Sequence, residues 1–500
     1  MKISSKCLHR RVPIGTLLSA LAALTFAASA SANVALTRIS TDPFTNTTSQ
    51  HATEVEPDTF ANGSTVVTAF QVGRFFNGGG SDIGFATSTD GGATWPTSGF
   101  LPGLTSTSRL GGTTGAPFER VSDASVAFDA LHGTWLVSSI PITSSLGVPN
   151  VFVNRSIDGG VTWSDLASIP APTANKISLD KNWTVCDNSS TSRFEGHCYT
   201  EFDNNGEGDL EEMSMSTDGG ATWSAPVATQ GNDHGLGGQP LVQPDGTVVV
   251  PFETVTGKEA AFTSTDGGKT WNHATTIANI AFAAVAGPLR TSPLPTAEID
   301  RTGRVYVAWE DCRFRAKCSS NDIVFSSSDD GVNWSPVQRI PIDPVTSGAD
   351  HFIPGLGVDR ATAGSTAHLA LTYYFYPDAT CAGGCQLDAG FVSSPDGGAH
   401  WSKPTQLTGP MTLAEIANTS QGRMVGDYIS TSFNPSGKAA TVLAVGKAPT
   451  SSQAFDEAMY APSPLAVASR GQATEAASAS GVQAAAGTGN GALLRAIRNN

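Results

Sequence analysis

The sequence predicts an all-β chain assembled from repeated four-stranded units, on three observations. A short phrase recurs six times. An apolar run, usually a hairpin, precedes each copy. Charged residues make up only 15% of the chain while glycine reaches 53 of 500 residues, a balance that suits many turns and few solvated helices. The phrase reads STDGGATW at 88–95, SIDGGVTW at 156–163, STDGGATW at 216–223, STDGGKTW at 264–271, SSDDGVNW at 327–334 and SSPDGGAHW at 393–401. Its central aspartates are Asp90, Asp158, Asp218, Asp266, Asp329 and Asp396, 48 to 68 residues apart. That spacing holds about four short strands with their turns, the content of one propeller blade of about 40–50 residues plus inserts.

The phrase has the chemistry of a bend. Ser and Asp side chains hydrogen-bond nearby backbone N–H groups. The glycine two residues after the Asp, Gly92 in the first copy, permits the positive φ of a tight hairpin. The closing Trp buries a large apolar face, and six of the nine tryptophans stand there. The phrase resembles the Asp box of sialidases and related BNR-repeat proteins. The resemblance implies a β-propeller, with the boxes on the turns between third and fourth strands.

Taken in order, the chain opens on a secretory signal at 1–32. Lys2, Lys6, Arg10 and Arg11 precede an apolar run over 17–28, and small residues follow. Cleavage after Ala30 or Ala32 fits the A-x-A pattern. The apolar run is short for a membrane span, and no later segment is long and apolar enough to cross a bilayer. The expected location is therefore outside the cytoplasm, extracellular or periplasmic. A propeller is expected over 33–462. The segment 34–40 (VALTRIS) has strand character but no unit of its own, so it is expected to supply the outer strand of the last blade and cover its edge. Strands follow at 64–72 and 82–88, 125–129 and 134–140, 183–186 and 197–202, then as hairpins within 240–253, 297–311, 353–376 and 426–446, with a further strand at 456–462. Seven blades are favoured. Six, the usual number in sialidases, is the alternative. Residues 463–500 are rich in Ala, Ser and Gly and read as a disordered tail.

Cys7 lies in the signal. The other six cysteines fall in close pairs, Cys186 with Cys198, Cys312 with Cys318 and Cys381 with Cys385, which suit local disulfides in an oxidising compartment. Zinc is the rival reading for Cys381 and Cys385, but no second Cys/His pair stands nearby. No cofactor motif is present. The net charge is −15, more acidic still without the basic signal. Such a body repels nucleic acid and anionic lipid over most of its surface.

Propeller strands alternate in direction, so the box turns share one face. The opposite face collects the starts of first strands and the ends of second strands. It receives Arg74, Arg120, Asp123, Asp180, Lys181, Glu201, Asp203, Glu253, Glu310, Asp311, Arg313, His351, Arg423, Asp427 and Tyr428. The box aspartates are set aside as structural. By resemblance, sialidase chemistry needs arginines for a sugar carboxylate, a tyrosine nucleophile paired with a glutamate and an aspartic acid for proton transfer. The resemblance implies Arg74, Arg120, Arg313 and Arg423 as substrate-binding, Asp123 as acid, Glu201 or Glu253 as the tyrosine's partner and Tyr428 as nucleophile, with no metal. The family's F/Y-R-I-P signature is absent near the first strand; Arg339-Ile340-Pro341 spells part of it after the fifth box. The implied function is a secreted exo-sialidase-like glycoside hydrolase that cleaves terminal acidic sugars from glycans or glycoconjugates. The alternatives are a non-catalytic propeller binding glycan or protein at the cell surface, and a hydrolase or lyase for another polysaccharide.

Overall fold

The recurrent phrase folds as its side chains dictate. In the first copy Asp90 Oδ1 accepts from Ser88 Oγ and from the Thr94 N–H, both at 2.8 Å, and Oδ2 accepts from Thr94 Oγ1 at 2.6 Å. Ser88 Oγ in turn accepts the Gly92 N–H at 2.8 Å. The same bonds recur around Asp158, Asp218 and Asp266. In the sixth copy His400 takes the threonine's place on Asp396 at 2.8 Å. The fifth copy corrects the sequence register. Its turn is built on Ser328 and Asp330, whose carboxylate accepts from the Asn333 N–H and side chain at 2.7 Å. Asp329 instead holds Arg304 through two hydrogen bonds, at 2.7 and 2.8 Å.

Each turn docks on a neighbouring sheet through a glycine. A Cβ on Gly160 would lie 2.7 Å from Val67, and one on Gly220 would lie 2.6 Å from Leu136. The same approach brings Gly268 to Tyr199, Gly331 to Val249 and Gly398 to Phe325, each on the preceding sheet. The first turn has no sheet before it in sequence. Its Gly92 abuts Ala440 and its Gly91 carbonyl accepts from Asn434 at 2.9 Å, both on the last sheet.

The computed structural model describes residues 1, 34–107, 118–164, 166–450 and 452–478. The expected signal and most of the expected tail lie outside the described residues. What is described is all-β, with a few short 3₁₀ turns and no α-helix. The first sheet is the antiparallel meander Glu54–Asn62, Thr65–Arg74, Gly80–Ser88 and Thr97–Phe100. The second runs Arg120–Asp129, Thr134–Ile142, Phe152–Ser156 and Ala167–Ser168; the third Leu179–Cys186, Cys198–Asn204, Leu210–Ser216 and Val227–Ala228. In the fourth, Gly235–Leu236 and Leu241–Val242 share Val248–Thr254 as partner, followed by Lys258–Ser264 and Thr275–Asn279. The fifth runs Thr296–Ile299, Val305–Asp311, Asp322–Ser328 and Gln338–Arg339; the sixth Asp350–Val358, Leu369–Tyr376, Gln386–Ser394 and Thr405–Thr412. The last starts at Thr431–Phe433, pairs Leu443–Gly446 with Glu457–Pro462, and ends on Leu36–Arg38, which runs antiparallel to Tyr460–Pro462 with Leu36 opposite Pro462. The outer place expected for residues 34–40 is thus where that strand lies. The innermost strand Glu54–Asn62 was absent from the sequence reading.

Residues 463–478, read from composition as tail, lie on the sheets. Leu465–Ala466 pairs with Lys438–Ala439, Ala473–Glu475 with His400–Ser402, and Ala477–Ser478 with Gln338–Arg339. Small side chains do not prevent strand addition, because the backbone supplies the bonds. The three cysteine pairs are the local disulfides expected. Buried Val, Leu, Ile and aromatic side chains fill the spaces between successive sheets, with box tryptophans such as Trp223, Trp271 and Trp401 among them.

Innermost segments of all these sheets meet around one small cavity of about 30 Å³, which Asp58, Val126, Thr184, Leu241, Thr296, Leu356 and Ser430 help line. Four of these strands carry a bulge near their other end. The pairing register breaks between Val55 and Asp58, Ser122 and Ser125, Asp180 and Trp183, and Phe352 and Gly355. At each break one residue has left-handed φ: Glu56 at 56°, Asp123 at 52°, Lys181 at 52° and Ile353 at 50°. A bulge re-aims the side chains around it, at a backbone cost of roughly 1–3 kcal/mol for a non-glycine residue there.

Candidate functional site

Three of the four bulges aim charged side chains into one cavity. Its volume is about 260 Å³, and Glu56, Arg74, Asp123, Asp180, Lys181 and Arg290 form its charged wall. Ile140, Ile142, Leu146, Val148 and Phe76 add apolar lining. A smaller lobe of about 70 Å³ adjoins it, lined by Asp203, Asp209, Asp427, Leu236, Thr291 and Ser292. Asp180, Lys181, Asn205, Arg290 and Gln421 line both spaces.

Arg74 ends the second strand of the first sheet. Its Nη1 donates to Gln71 Oε1 at 2.7 Å, and Gln71 donates to Glu56. Arg74 Nε is buried and has no hydrogen-bond partner among the described residues. Burial, and after it the nearby Arg290 guanidinium, pull Arg74 below the ordinary arginine range. Two guanidinium groups therefore face one space. Arg290 is positioned by backbone pairing, its N–H donating to Arg423 O at 2.7 Å. Its Nε donates to Asp427 Oδ1 at 2.7 Å, and its Nη2 bonds Asp427 Oδ2. Lys181 Nζ bonds the same Asp427 Oδ2 and stands 3.8 Å from Glu56 Oε1. Burial opposes the charge on Lys181, but Asp427, Asp123 and Glu56 outweigh it and raise its affinity for the proton.

The carboxyl groups divide into two kinds. Burial, then the charge of Asp123, push Asp180 up to about 7. Burial also works against Asp123, yet the Lys181 ammonium and hydrogen bonds from Asp180, Ser122 and the Lys181 N–H hold it below the usual carboxylate range. The pair thus sets a carboxyl group that keeps its proton up to about pH 7 against one that stays ionised, the division of labour that acid–base catalysis uses. Burial pushes Glu56 up to about 7 as well.

The predicted residues fall into three groups. Arg74 and Asp123 line the cavity. Arg120 and Tyr428 stand beside it. The Arg120 guanidinium lies 4.3 Å from the Phe75 ring centre and donates to Asn77 at 2.5 Å. Tyr428 is buried, its ring edge-on to Trp183 at 5.2 Å and its hydroxyl donating to Ala124 O at 3.3 Å. The remaining four line neither space. Glu201 is buried against Glu211, and burial followed by that neighbour raises its pKa well above the ordinary value. Glu253 lies on the fourth sheet, opposite Glu259 and Leu236. Arg313 is held by Asp311 at 2.6 and 2.8 Å and by Asn279 O at 2.5 Å. Arg423 turns its Nη1 to Ile416 O at 2.8 Å. The sequence reading missed Glu56 and Arg290, and it noted Asp180, Lys181, Asp203 and Asp427 only as strand-end charges. Arg290 is the one charged residue between Lys269 and Glu298, a signal that was there to be used.

Residues 262–273 match the family model described as BNR/Asp-box repeat, and five further turns share its geometry or a close variant of it. The chain thus carries a BNR/Asp-box repeat. No curated protein matches the chain by sequence. Among solved structures, the chain is similar to a Hadza microbial sialidase, Hz136, at 17% identity over 65% of this chain and 64% of that one, with a TM-score of 0.45. It is similar to the NanB sialidase of Streptococcus pneumoniae at 13% identity over 88% and 71%, with a TM-score of 0.42. A protein of unknown function from Dyadobacter fermentans matches at 17% identity over 72% and 99%, with a TM-score of 0.42. The chain thus spans a little under two thirds of the Hadza sialidase. No helix among the described residues is long and apolar enough to cross a membrane.

Proposed function

We propose that this chain is an exported glycoside hydrolase that releases terminal acidic sugars from glycans. The carrying observation is the pairing, in one cavity, of two guanidinium groups with a carboxyl pair of split proton affinity. Arg74 has an unused buried donor and Arg290 stands close enough to lower its pKa. Together they suit a sugar carboxylate, which accepts charge-assisted bonds from guanidinium groups. Asp180, which keeps its proton up to about pH 7, donates it to the leaving oxygen, and ionised Asp123 stabilises the positive charge that grows on the ring. Tyr428 is the candidate nucleophile. Glu56 heads the charges that raise its pKa after burial and is better placed as its partner than Glu201 or Glu253. Attack requires the hydroxyl to leave Ala124 O. The site sits on a ring of seven blades in this reading. Support comes from the strand at 36–38, the first turn's contact with the last sheet, and the cavity on which every sheet converges. The disulfides and the signal-like N-terminus support export.

Release of fluorophore from an aryl sialoside tests this. Arg74→Ala and Asp180→Asn are each expected to lower kcat/KM by about 100-fold or more. Tyr428→Phe decides whether the hydroxyl takes part. A second reading, a glycan-binding propeller without turnover, draws on one observation: Arg290 and Lys181 are already engaged by Asp427, with which a ligand carboxylate must compete. Saturable binding with no release between pH 4 and 8 would decide for it.

A further inference from the structure

The two adjoining lobes differ in kind, and the difference bears on the sugar next to the one released. Their shared boundary carries Asp180, the proposed proton donor, so a glycosidic oxygen at that boundary has one sugar on either side. The large lobe holds Arg74 with its free Nε. Among the described residues the small lobe holds no cation beyond Lys181 and Arg290 of the boundary; Asp427 holds both, and a terminal sugar's carboxylate in the large lobe takes up what remains of the Arg290 charge.

Two acids of the small lobe remain. Asp203 is 1% exposed, and its Oδ1 has no hydrogen-bond partner among the described residues. Asp209 is fixed rather than mobile: its left-handed backbone (φ 64°) is tied on both sides, its N–H to Asn204 O at 3.1 Å and its carbonyl to the Gly235 N–H at 2.8 Å. Its Oδ1 accepts from Asn205 at 3.0 Å. Thr291 and Ser292 add hydroxyl groups beside them. Acceptors and hydroxyls in a fixed frame suit a hydroxyl-rich or amine-bearing ring. A carboxylate there would meet Asp209 with no free cation to offset the repulsion.

Resting on the reading of the large lobe as the seat of a terminal acidic sugar, we infer that the small lobe selects the penultimate sugar, accepting a neutral or amino sugar and rejecting an anionic one. The chain would then trim acidic sugars from neutral glycans and leave chains of consecutive acidic sugars intact. Asp209 is the specificity-determining residue.

Two sulfur-linked disaccharides that resist hydrolysis test this by calorimetry on the full chain. Both carry the same terminal acidic sugar, one on a neutral sugar and the other on an anionic sugar. The neutral-linked compound is expected to bind at least tenfold more tightly. Asp209→Asn keeps the acceptor for Asn205 and suits the left-handed backbone, so the fold is preserved. It should bring the two affinities within about threefold, by tightening the anionic-linked compound. Equal affinities for the wild type, or a ratio unchanged in Asp209→Asn, would overturn the inference alone. Binding of neither compound would overturn the acidic-sugar reading with it.

Discussion

Asp180 and Asp123 differ in proton affinity because of what surrounds them. Both stand at bulges, Asp123 buried and Asp180 half-buried, but Lys181 and three hydrogen-bond donors serve Asp123 while Asp180 faces the Asp123 charge. If Asp180 is the acid, turnover requires its proton. Above about pH 7 the rate should therefore fall roughly tenfold per unit. A kcat/KM profile flat to pH 9 would remove Asp180 from the role. At this scale the sequence was half legible. Arg74 and Asp123 end or begin strands that the hydrophobic pattern located, so their placement followed. Arg313 and Arg423 occupy equivalent positions in the pattern, yet Asp311 and the Ile416 carbonyl hold their guanidinium groups elsewhere. Nothing in a strand pattern reports such local capture. Glu56 was missed because its strand, 54–62, mixes acids, Pro57 and Thr59 among its apolar residues and does not read as one.

The elements that the sequence announced best are the box turns, since one residue each of Ser, Asp, Gly and Trp has a separate physical task. The fifth copy shows the limit of the pattern: two adjacent aspartates offer two registers, and only the Asp329–Arg304 contact decides between them. The docking glycine has a measurable role. At Gly220, φ is +75° and a Cβ would stand 2.6 Å from Leu136. Gly220→Ala is therefore expected to destabilise the fold by about 2 kcal/mol, combining left-handed strain with overpacking. Gly133→Ala, also at positive φ but with open space around its Cβ site, should cost about 1 kcal/mol. Denaturant unfolding of both variants checks this, and equal losses would show that docking contributes nothing. The bulges that shape the site were not legible, because none of their left-handed residues is a glycine that would mark them.

Over the whole molecule, burial raises many acids. Glu54 is pushed up to about 8, and Asp58 and Asp350 to about 7. Their unfolded values are near 4, so the native state holds protons that the unfolded chain releases between about pH 4 and 8. Their contribution to stability is complete below that window and is lost as pH rises through it. Hydrogen bonds from Thr162 and Asn333 hold Asp158 and Asp330 down at about 2, and their smaller contribution is lost as pH falls from about 4 towards 2. Tm should be highest near pH 5 and lower at pH 8; a Tm rising across that interval would contradict the burial of these acids. The repeat made the all-β architecture legible at this scale, and the composition of 463–478 hid strands that depend on backbone alone. The central claim is that one cavity grips an acidic sugar between Arg74, Arg290 and Asp180. A crystal soaked with an unsaturated acidic-sugar inhibitor tests it most directly. The account predicts the inhibitor's carboxylate within about 3 Å of the Arg74 and Arg290 guanidinium groups, with the side that bears the leaving group turned to Asp180. A ligand seated elsewhere, or a cavity left empty at saturating inhibitor, would contradict it.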